Sequence, residues 1–277
     1  MIKIKEFGSI YWHCIAGQTA FPVQVAVNYD IPLIIWGAHQ GIEQVGMFSH
    51  LSEVEMSRRH RKDHDLMGYE ADDLLSNFNT LSEKDIWQYR YPSDSDINRV
   101  GVRGIYLSNF IPWDSRYQNE KMALKYSCST DRFNRSFNNH DHVDCFNYMD
   151  LHDVLKLYKC GFSKVTDHAC AEIRHKRMTR DEGLLLVRKH EQSKLQNFKL
   201  FCDWLNVKET SLQWVLDMYR NPNYWNNIGF RKWEFNGISK HQTLEGRGYK
   251  NIFKEFTCYK DSGLKNNNKY IVFGKGY

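Results

Sequence analysis

The sequence predicts an α/β fold that has a parallel sheet in its first part and a mainly helical region after it. The main observation is the run Ile31-Pro-Leu-Ile-Ile-Trp-Gly37, whose continuous apolar residues are typical of a strand buried on both faces. The apolar stretch from Ile10 to Ala16 is interpreted as an earlier strand, and a helical pattern follows over Thr19 to Tyr29. Strand, helix and strand in that order predict a parallel pair.

Two helices and one strand are predicted next in the first part of the chain. The segment Ser52-Glu-Val-Glu55 has the spacing of a capping box and predicts a charged helix that runs towards Met67. Helical pattern continues over Ala71 to Asn77. Another strand is expected from Gly104 to Ile111, because Pro112 stops the apolar run there.

After Trp113 the pattern changes to helices joined by polar loops. Asp150 is a candidate N-terminal cap, and the segment Thr179-Arg-Asp-Glu182 is a candidate capping box. The clearest helices are predicted at Leu151 to Lys159, Gly183 to His190 and Asn206 to about Arg220. We therefore expect two domains, an α/β domain at residues 1–113 and a mainly helical one at 114–277.

Composition excludes several classes of protein. Thirty-eight Lys and Arg against 33 Asp and Glu leave a formal net charge of +5 without a long basic run, so a nucleic-acid partner is not expected. The seven cysteines contain no C-x-x-C pair, which speaks against a zinc knuckle and a disulfide framework. The longest apolar run is too short to cross a bilayer, and no signal peptide is recognisable. We expect a cytoplasmic protein without an integral membrane segment.

Two segments carry candidate functional residues. His39 and Glu43 follow the predicted strand at 31–37, and ligands of open α/β sheets bind outside the carboxyl ends of such strands. In the segment 164–177, Asp167 and Glu172 are candidates to hold Mg²⁺ or to position a substrate amine, and Arg174, with Lys176 and Arg177, to neutralise phosphates. The alternatives are an ordinary polar loop and a charged helix.

Two histidine clusters are weaker candidates than these two segments, and the function they suggest is metal binding. His60 and His64 are one helical turn apart, but the neighbouring Arg and Lys residues favour a solvated basic face. The second cluster would serve a metal-dependent hydrolase, although it also resembles a polar loop. Its candidate ligands are His140, Asp141, His142 and Asp144.

Several long strings together resemble the N-acetyl sugar amidotransferase family of the WbpG/PseA type. The resemblance extends over roughly residues 10 to 235. The strings are Phe21-Pro-Val-Gln-Val-Ala-Val27, the run 31–37, Gln44-Val-Gly-Met-Phe-Ser-His50, His64-Asp-Leu-Met-Gly-Tyr-Glu-Ala-Asp-Asp-Leu74, Gly104-Ile-Tyr-Leu-Ser-Asn-Phe110 and Lys164-Val-Thr-Asp-His-Ala-Cys-Ala-Glu-Ile-Arg174.

The resemblance implies that residues 1–113 are part of a PP-loop ATP-pyrophosphatase domain, which is adenine nucleotide alpha hydrolase-like. It implies that the substrate is a nucleotide-linked N-acetyl sugar, whose acetamido oxygen is adenylylated with ATP and Mg²⁺. Ammonia then attacks and leaves an acetamidino group. Such sugars enter lipopolysaccharide O-antigen, capsule or flagellin glycans. The implied partners are a HisH-like glutaminase and a HisF-like ammonia-channelling protein. By position, His39 and Glu43 would bind the nucleotide, and the implied catalytic residues are Asp167, His168, Glu172 and Arg174.

The sequence also departs from the family pattern. The cysteine pairs and the phosphate-binding Ser-Gly-Gly-x-Asp-Ser loop that begin family members are absent from this sequence. We therefore expect the chain to correspond to the C-terminal two-thirds of the family, either as a truncated or diverged member or with a separate N-terminal half. The alternative is a catalytically silent remnant or an assembly module.

Overall fold

The structure is a computed structural model that describes residues 8–38, 55–77, 81–111, 113–140 and 147–237. These residues divide into two compact units, which are described one at a time. The N-terminal unit is Ser9–Asp114, and the C-terminal unit contains residues 115–237 together with Gly8.

The N-terminal unit combines helices with a small parallel sheet. Its elements are α1 (Trp12–Asn28), β1 (Leu33–Trp36), α2 (Arg58–His60), α3 (Ala71–Asn77), α4 (Glu83–Ile86), α5 (Asp94–Val100) and β2 (Arg103–Tyr106). A π-helical turn, Arg61–Asp65, continues α2, and 3₁₀ turns follow α4 and β2 at Trp87–Tyr89 and Leu107–Asn109.

Strands β1 and β2 pair in parallel, which confirms a strand in each of the runs 31–37 and 104–111, although β2 ends at Tyr106. The predicted parallel partner of the run 31–37 was the stretch Ile10 to Ala16, whereas the observed partner is β2. The register runs from Leu33 opposite Arg103 to Trp36 opposite Tyr106. The expectation that β1 is buried on both faces is wrong, because Leu33 and Ile35 are 47% and 61% exposed. A continuous apolar run does not reveal whether both faces of a strand are covered. The described sheet has two strands, and the PP-loop fold stays a prediction.

The predicted strand at Ile10 to Ala16 is wrong, because most of this stretch belongs to helix α1. The buried apolar side chains of α1 recur every three or four positions, at Trp12, Ala16, Ala20, Val23 and Val27. Trp12 is fully buried, and its indole Nε1 donates to the carbonyl oxygen of Tyr69 at 3.1 Å. A short apolar run does not by itself distinguish a strand from a buried helix, and here the longer helical period decides.

The first described turn of α2 begins later than the predicted capping box. Residues 51–54 lie outside the described part of the chain, and Ser57 caps α2 by accepting the backbone N–H of His60 at 3.2 Å. The helix predicted over Ala71 to Asn77 is confirmed as α3.

The C-terminal unit is mainly helical, as predicted, and ends its described part in a hairpin. Its elements are α6 (Ser115–Tyr126), α7 (Met149–Cys160), α8 (Lys164–Arg174), α9 (Arg180–His190), α10 (Phe198–Leu205), α11 (Glu209–Asp217), β3 (Trp225–Gly229) and β4 (Lys232–Phe235). None of the helices in the described part of the chain has both the length and the hydrophobicity needed to cross a bilayer.

Local signals place several helix ends in this unit. The capping box before α9 is confirmed, because Glu182 N donates to Thr179 Oγ1 at 3.3 Å and Thr179 N donates to Glu182 Oε2 at 2.8 Å. Helix α7 ends at Gly161, whose φ of 73° is left-handed. Asp150, however, lies inside the first turn of α7 and accepts the N–H of Gln196 at 3.1 Å instead of capping the helix.

The core of the C-terminal unit forms where helices pack in pairs. Helices α8 and α9 meet through buried Val165, Ala169 and Val187, with Phe137 and Met178 packed against them. Helix α10 ends at a left-handed Asn206, so α11 starts at Glu209 and not at Asn206 as predicted. Strands β3 and β4 pair antiparallel.

Candidate functional site

All four predicted catalytic residues lie on α8, but their side chains have different surroundings. His168 and Glu172 are one turn apart and buried, with 7% and 2% exposure. Asp167 and Arg174 are seven positions apart, which is two helical turns, so they share another side of α8. The helix therefore separates two inward-facing residues from two that lie nearer the solvent.

Glu172 is held by two arginines from different parts of the C-terminal unit. Arg177 donates from Nε to Oε2 and from Nη2 to Oε1, both at 2.8 Å. Arg116 on α6 donates from Nη1 to Oε2 at 2.7 Å. The hydrogen bonds from Arg177, together with the charge of Arg116, hold the pKa of Glu172 below its ordinary value despite its burial. Both oxygens are occupied, so Glu172 is poorly placed to bind Mg²⁺ or to accept a proton.

The ion pairs around Glu172 extend to a predicted metal ligand. Arg116 Nε donates to Glu120 Oε1 at 2.8 Å, and His140 Nε2 lies 3.6 Å from the same oxygen. The other three residues of the predicted hydrolase cluster, Asp141, His142 and Asp144, lie outside the described residues. Within the part of the chain that the structure describes, no three His, Cys, Asp or Glu side chains group as a metal site would require.

His168 contacts the segment that precedes α7. Its Nδ1 lies 2.5 Å from the hydroxyl of buried Ser136, and its ring meets Phe137 edge-on with centroids 6.2 Å apart. Ser136 Oγ also accepts the N–H of Asn138 at 3.3 Å. His168 thus joins α8 to residues 136–138.

Asp167 and Arg174 are the more accessible pair. Asp167 forms an ion pair with Lys156 of α7, whose ammonium lies 4.7 Å from the centroid of the Phe162 ring. Burial raises the pKa of Asp167, and Lys156 opposes this shift. Arg174 is exposed at the end of α8, and the exposed Lys176 follows it in a left-handed conformation with φ 59°.

The two residues predicted to bind nucleotide, His39 and Glu43, lie outside the described residues. After β1 the described residues extend to residue 38 and resume at residue 55. The carbonyl oxygen of Gly37 accepts the N–H of Ser108 at 3.2 Å, so the segments following β1 and β2 remain hydrogen-bonded.

A second polar cluster, in the N-terminal unit, was missed by the sequence analysis. The basic segment 58–64 was expected to be solvated, but Arg61 is only 1% exposed. Its Nε donates to Thr19 Oγ1 at 2.8 Å, and its Nη1 donates to Glu70 Oε1 at 3.3 Å. The guanidinium also lies 4.6 Å from the centroid of the Tyr91 ring. These partners are distant in sequence from Arg61, so no spacing rule could have identified them.

A comparison with protein families supports the resemblance for the C-terminal unit. Residues 120–239 match a family model described as LPS biosynthesis protein WbpG-like, C-terminal domain. The matched segment includes the end of α6, all of α7 to β4, and the four predicted catalytic residues. A comparison with curated proteins finds no match. The predicted resemblance to a WbpG-type C-terminal region is therefore confirmed, and this unit is similar to a domain of LPS biosynthesis proteins.

Proposed function

We propose that the chain is the substrate-side portion of an N-acetyl sugar amidotransferase that acts on a nucleotide-linked sugar in surface-polysaccharide biosynthesis. The observation that carries the proposal is the WbpG-like match over residues 120–239. It includes the string Lys164 to Arg174, which forms α8 and contains all four candidate catalytic residues.

The reaction exchanges the acetamido oxygen for nitrogen. An amide oxygen is a poor leaving group. ATP, as the co-substrate, would supply an AMP group to that oxygen and so convert it into a better leaving group. On α8, the described residues do not fit a Mg²⁺ site, because Asp167 is paired with Lys156 and Glu172 with two arginines. We therefore assign no step on α8 to Mg²⁺ or ATP.

The accessible side of α8 has suitable groups for the remaining steps. Arg174 and Lys176 are exposed cations that would bind the diphosphate of the nucleotide-linked sugar. Asp167 lies two turns before Arg174, and its raised pKa makes its carboxylate a better proton acceptor. In this proposal Asp167 takes a proton from ammonia as the new carbon–nitrogen bond forms, and the carbon–oxygen bond breaks so that AMP leaves with the acetamido oxygen. His168 and Glu172 are positioning residues that fix α8 through Ser136 and through Arg116 and Arg177.

The test is an amidination assay with the full chain. Mg-ATP, an ammonium salt and a panel of nucleotide-linked N-acetyl sugars are supplied, and both AMP and the amidine are detected by mass spectrometry. A second reaction adds an N-terminal fragment that contains the phosphate-binding loop of the family. Ammonium removes the need for a glutaminase or an ammonia-channelling partner.

Two variants and one control locate the site. We expect Asp167→Ala to lower kcat at least tenfold and Arg174→Ala mainly to raise KM, while circular dichroism spectra stay unchanged. Lys189→Ala removes an exposed cation near the end of α9 and should leave both constants unchanged. Full activity in Asp167→Ala and Arg174→Ala would refute the assignment of these roles, and no amidine in either reaction would refute the proposed function.

A further inference from the structure

The N-terminal unit contains a cavity of about 340 Å³ beside its sheet. Volumes of roughly 300 to 1,000 Å³ are typical of small-molecule sites. The apolar side chains of the lining are those of Val23, Ile34, Met56, Ile97 and Val102. The polar part comes from Ser57, Arg58, Tyr91, Asp94 and Asn98. A lining that combines apolar side chains with polar and charged ones can hold a ring-sized organic molecule and fix its orientation.

Arg58 is the cation in this lining, and its partners differ in how firmly they are held. Glu70, with 14% exposure, accepts from Nε at 3.0 Å and from Nη2 at 2.9 Å. This two-point contact fixes the plane of the guanidinium. The third bond, from Nη1 to Asp94 Oδ1 at 3.0 Å, goes to a side chain that is 75% exposed. Asp94 can therefore move away from Arg58 into solvent, while Arg58 keeps its two hydrogen bonds to Glu70.

Arg61 supports the same wall from inside the unit. It shares Glu70 Oε1 with Arg58, and both guanidinium groups approach the Tyr91 ring, at 4.6 Å for Arg61 and 5.8 Å for Arg58. Arg61 Nη2 is buried and has no hydrogen-bond partner among the described residues. Asp65 also interacts with Arg61. Arg58 and Tyr91 are thus held in place by a buried network, whereas Asp94 is not.

We propose that the cavity binds a ring-sized organic anion whose carboxylate or phosphate takes the place of Asp94 on Arg58 Nη1. Asp94 then acts as an internal stand-in for the ligand. Exchange of one carboxylate for another leaves the local charge balance unchanged. The body of the ligand packs on Ile34 and Val102, and the Asn98 amide is available for hydrogen bonds. This site lies within the N-terminal unit and does not depend on the proposed amidotransferase activity.

The first measurement is the binding of small organic anions to the wild-type chain. Binding of benzoate, glucuronate and glucose 1-phosphate to the full chain is measured by ligand-observed NMR titration, with benzamide and glucose as neutral controls. Benzoate and glucuronate test a carboxylate, and glucose 1-phosphate tests a phosphate. We expect at least one anion to bind while its neutral control does not.

The variants then distinguish a ligand site from a structural ion pair. Asp94→Ala removes the competing carboxylate and should tighten anion binding roughly two- to five-fold, which corresponds to an exposed pair of about 0.5 to 1 kcal/mol. Arg58→Met should weaken it at least tenfold. Asp72→Ala is the matched control, because Asp72 pairs with Arg90 in another exposed ion pair outside the cavity lining.

Three results would overturn the proposal. They are equal binding of a neutral control, unchanged or weaker anion binding in Asp94→Ala, and no binding of any of the three anions to the wild-type chain. The comparison of Asp94→Ala with the wild type decides the matter even if Arg58→Met does not fold.

Discussion

Replacement of Glu172 by glutamine should destabilise the C-terminal unit, because Glu172 joins α6, α8 and the start of the α8 to α9 connection. Three hydrogen bonds from Arg116 and Arg177 end on its carboxylate at 2.7 to 2.8 Å. A hydrogen bond to a charged group contributes about 1.5–3 kcal/mol and a neutral one about 1 kcal/mol. Glutamine has nearly the same shape, but it carries no charge and offers only one acceptor oxygen.

The expected cost follows from these three bonds. The arginines stay charged, but the single acceptor oxygen of glutamine loses at least one of the three bonds, at about 1.5–3 kcal/mol, and its NH₂ group faces the guanidinium groups, so the total cost is about 2–3 kcal/mol. For a unit of this size, that lowers the melting temperature by roughly 4–12 °C. Urea unfolding followed by tryptophan fluorescence at pH 7 measures the difference in free energy of unfolding.

The pH dependence gives the same prediction a second readout. The folded-state pKa of Glu172 lies below its ordinary value of 4.5, so its stabilising contribution is present above that value and is lost as the pH falls. The difference between wild type and Glu172→Gln should therefore be complete at pH 7 and shrink in acid. Glu120→Gln is the matched control, because Glu120 also pairs with Arg116 but is 38% exposed, and it should cost under about 1 kcal/mol. Equal stability of wild type and Glu172→Gln at pH 7 would show that the three hydrogen bonds do not stabilise the C-terminal unit.

Two other substitutions test buried features of the structure. Burial raises the pKa of Glu191 from 4.5 to about 7, so the folded state binds the extra proton and loses stability as the pH rises through that range. Glu191→Gln should therefore stabilise the chain at pH 8 by up to about 3 kcal/mol and have little effect at pH 4. Urea unfolding at both pH values measures this, and a gain of equal size at the two pH values would contradict it. Gly161 has φ 73°, and a Cβ there would lie 2.5 Å from Tyr224 Cγ, whereas Gly101, with φ 71°, has no atom within 4 Å of that position. Gly101→Ala should cost about 1 kcal/mol from backbone strain alone, and Gly161→Ala should cost clearly more because of the added contact. Equal losses of stability in the same assay would show that the Tyr224 ring moves aside.

Local patterns were sufficient for several elements of the fold. The apolar runs at 31–37 and 104–111 predicted strands, although the run at 31–37 was expected to pair with Ile10 to Ala16 and pairs instead with β2. The capping box at Thr179 marked the start of α9, because this signal acts within the first turn of the helix. In contrast, β3 is polar and contains Asn226 and Asn227, and β4 alternates polar and apolar residues over only four positions, so the sequence carried only weak evidence for the hairpin.

The surroundings of the candidate residues could not be predicted in the same way. Arg116 is 56 positions from Glu172, and Thr19 is 42 positions from Arg61. Such pairs are created by tertiary packing, and no periodicity connects them. The sequence therefore identified α8 as a candidate catalytic element but did not show that Glu172 is occupied by arginines or that Arg61 is buried.

The most direct test of the amidotransferase proposal follows the acetamido oxygen. A nucleotide-linked N-acetyl sugar labelled with ¹⁸O in its acetamido group is incubated with the full chain, the loop-bearing N-terminal fragment, Mg-ATP and ¹⁵N-ammonium. We expect ¹⁸O in the released AMP and ¹⁵N in the sugar product. Unlabelled AMP, or a sugar that retains its ¹⁸O, would contradict it.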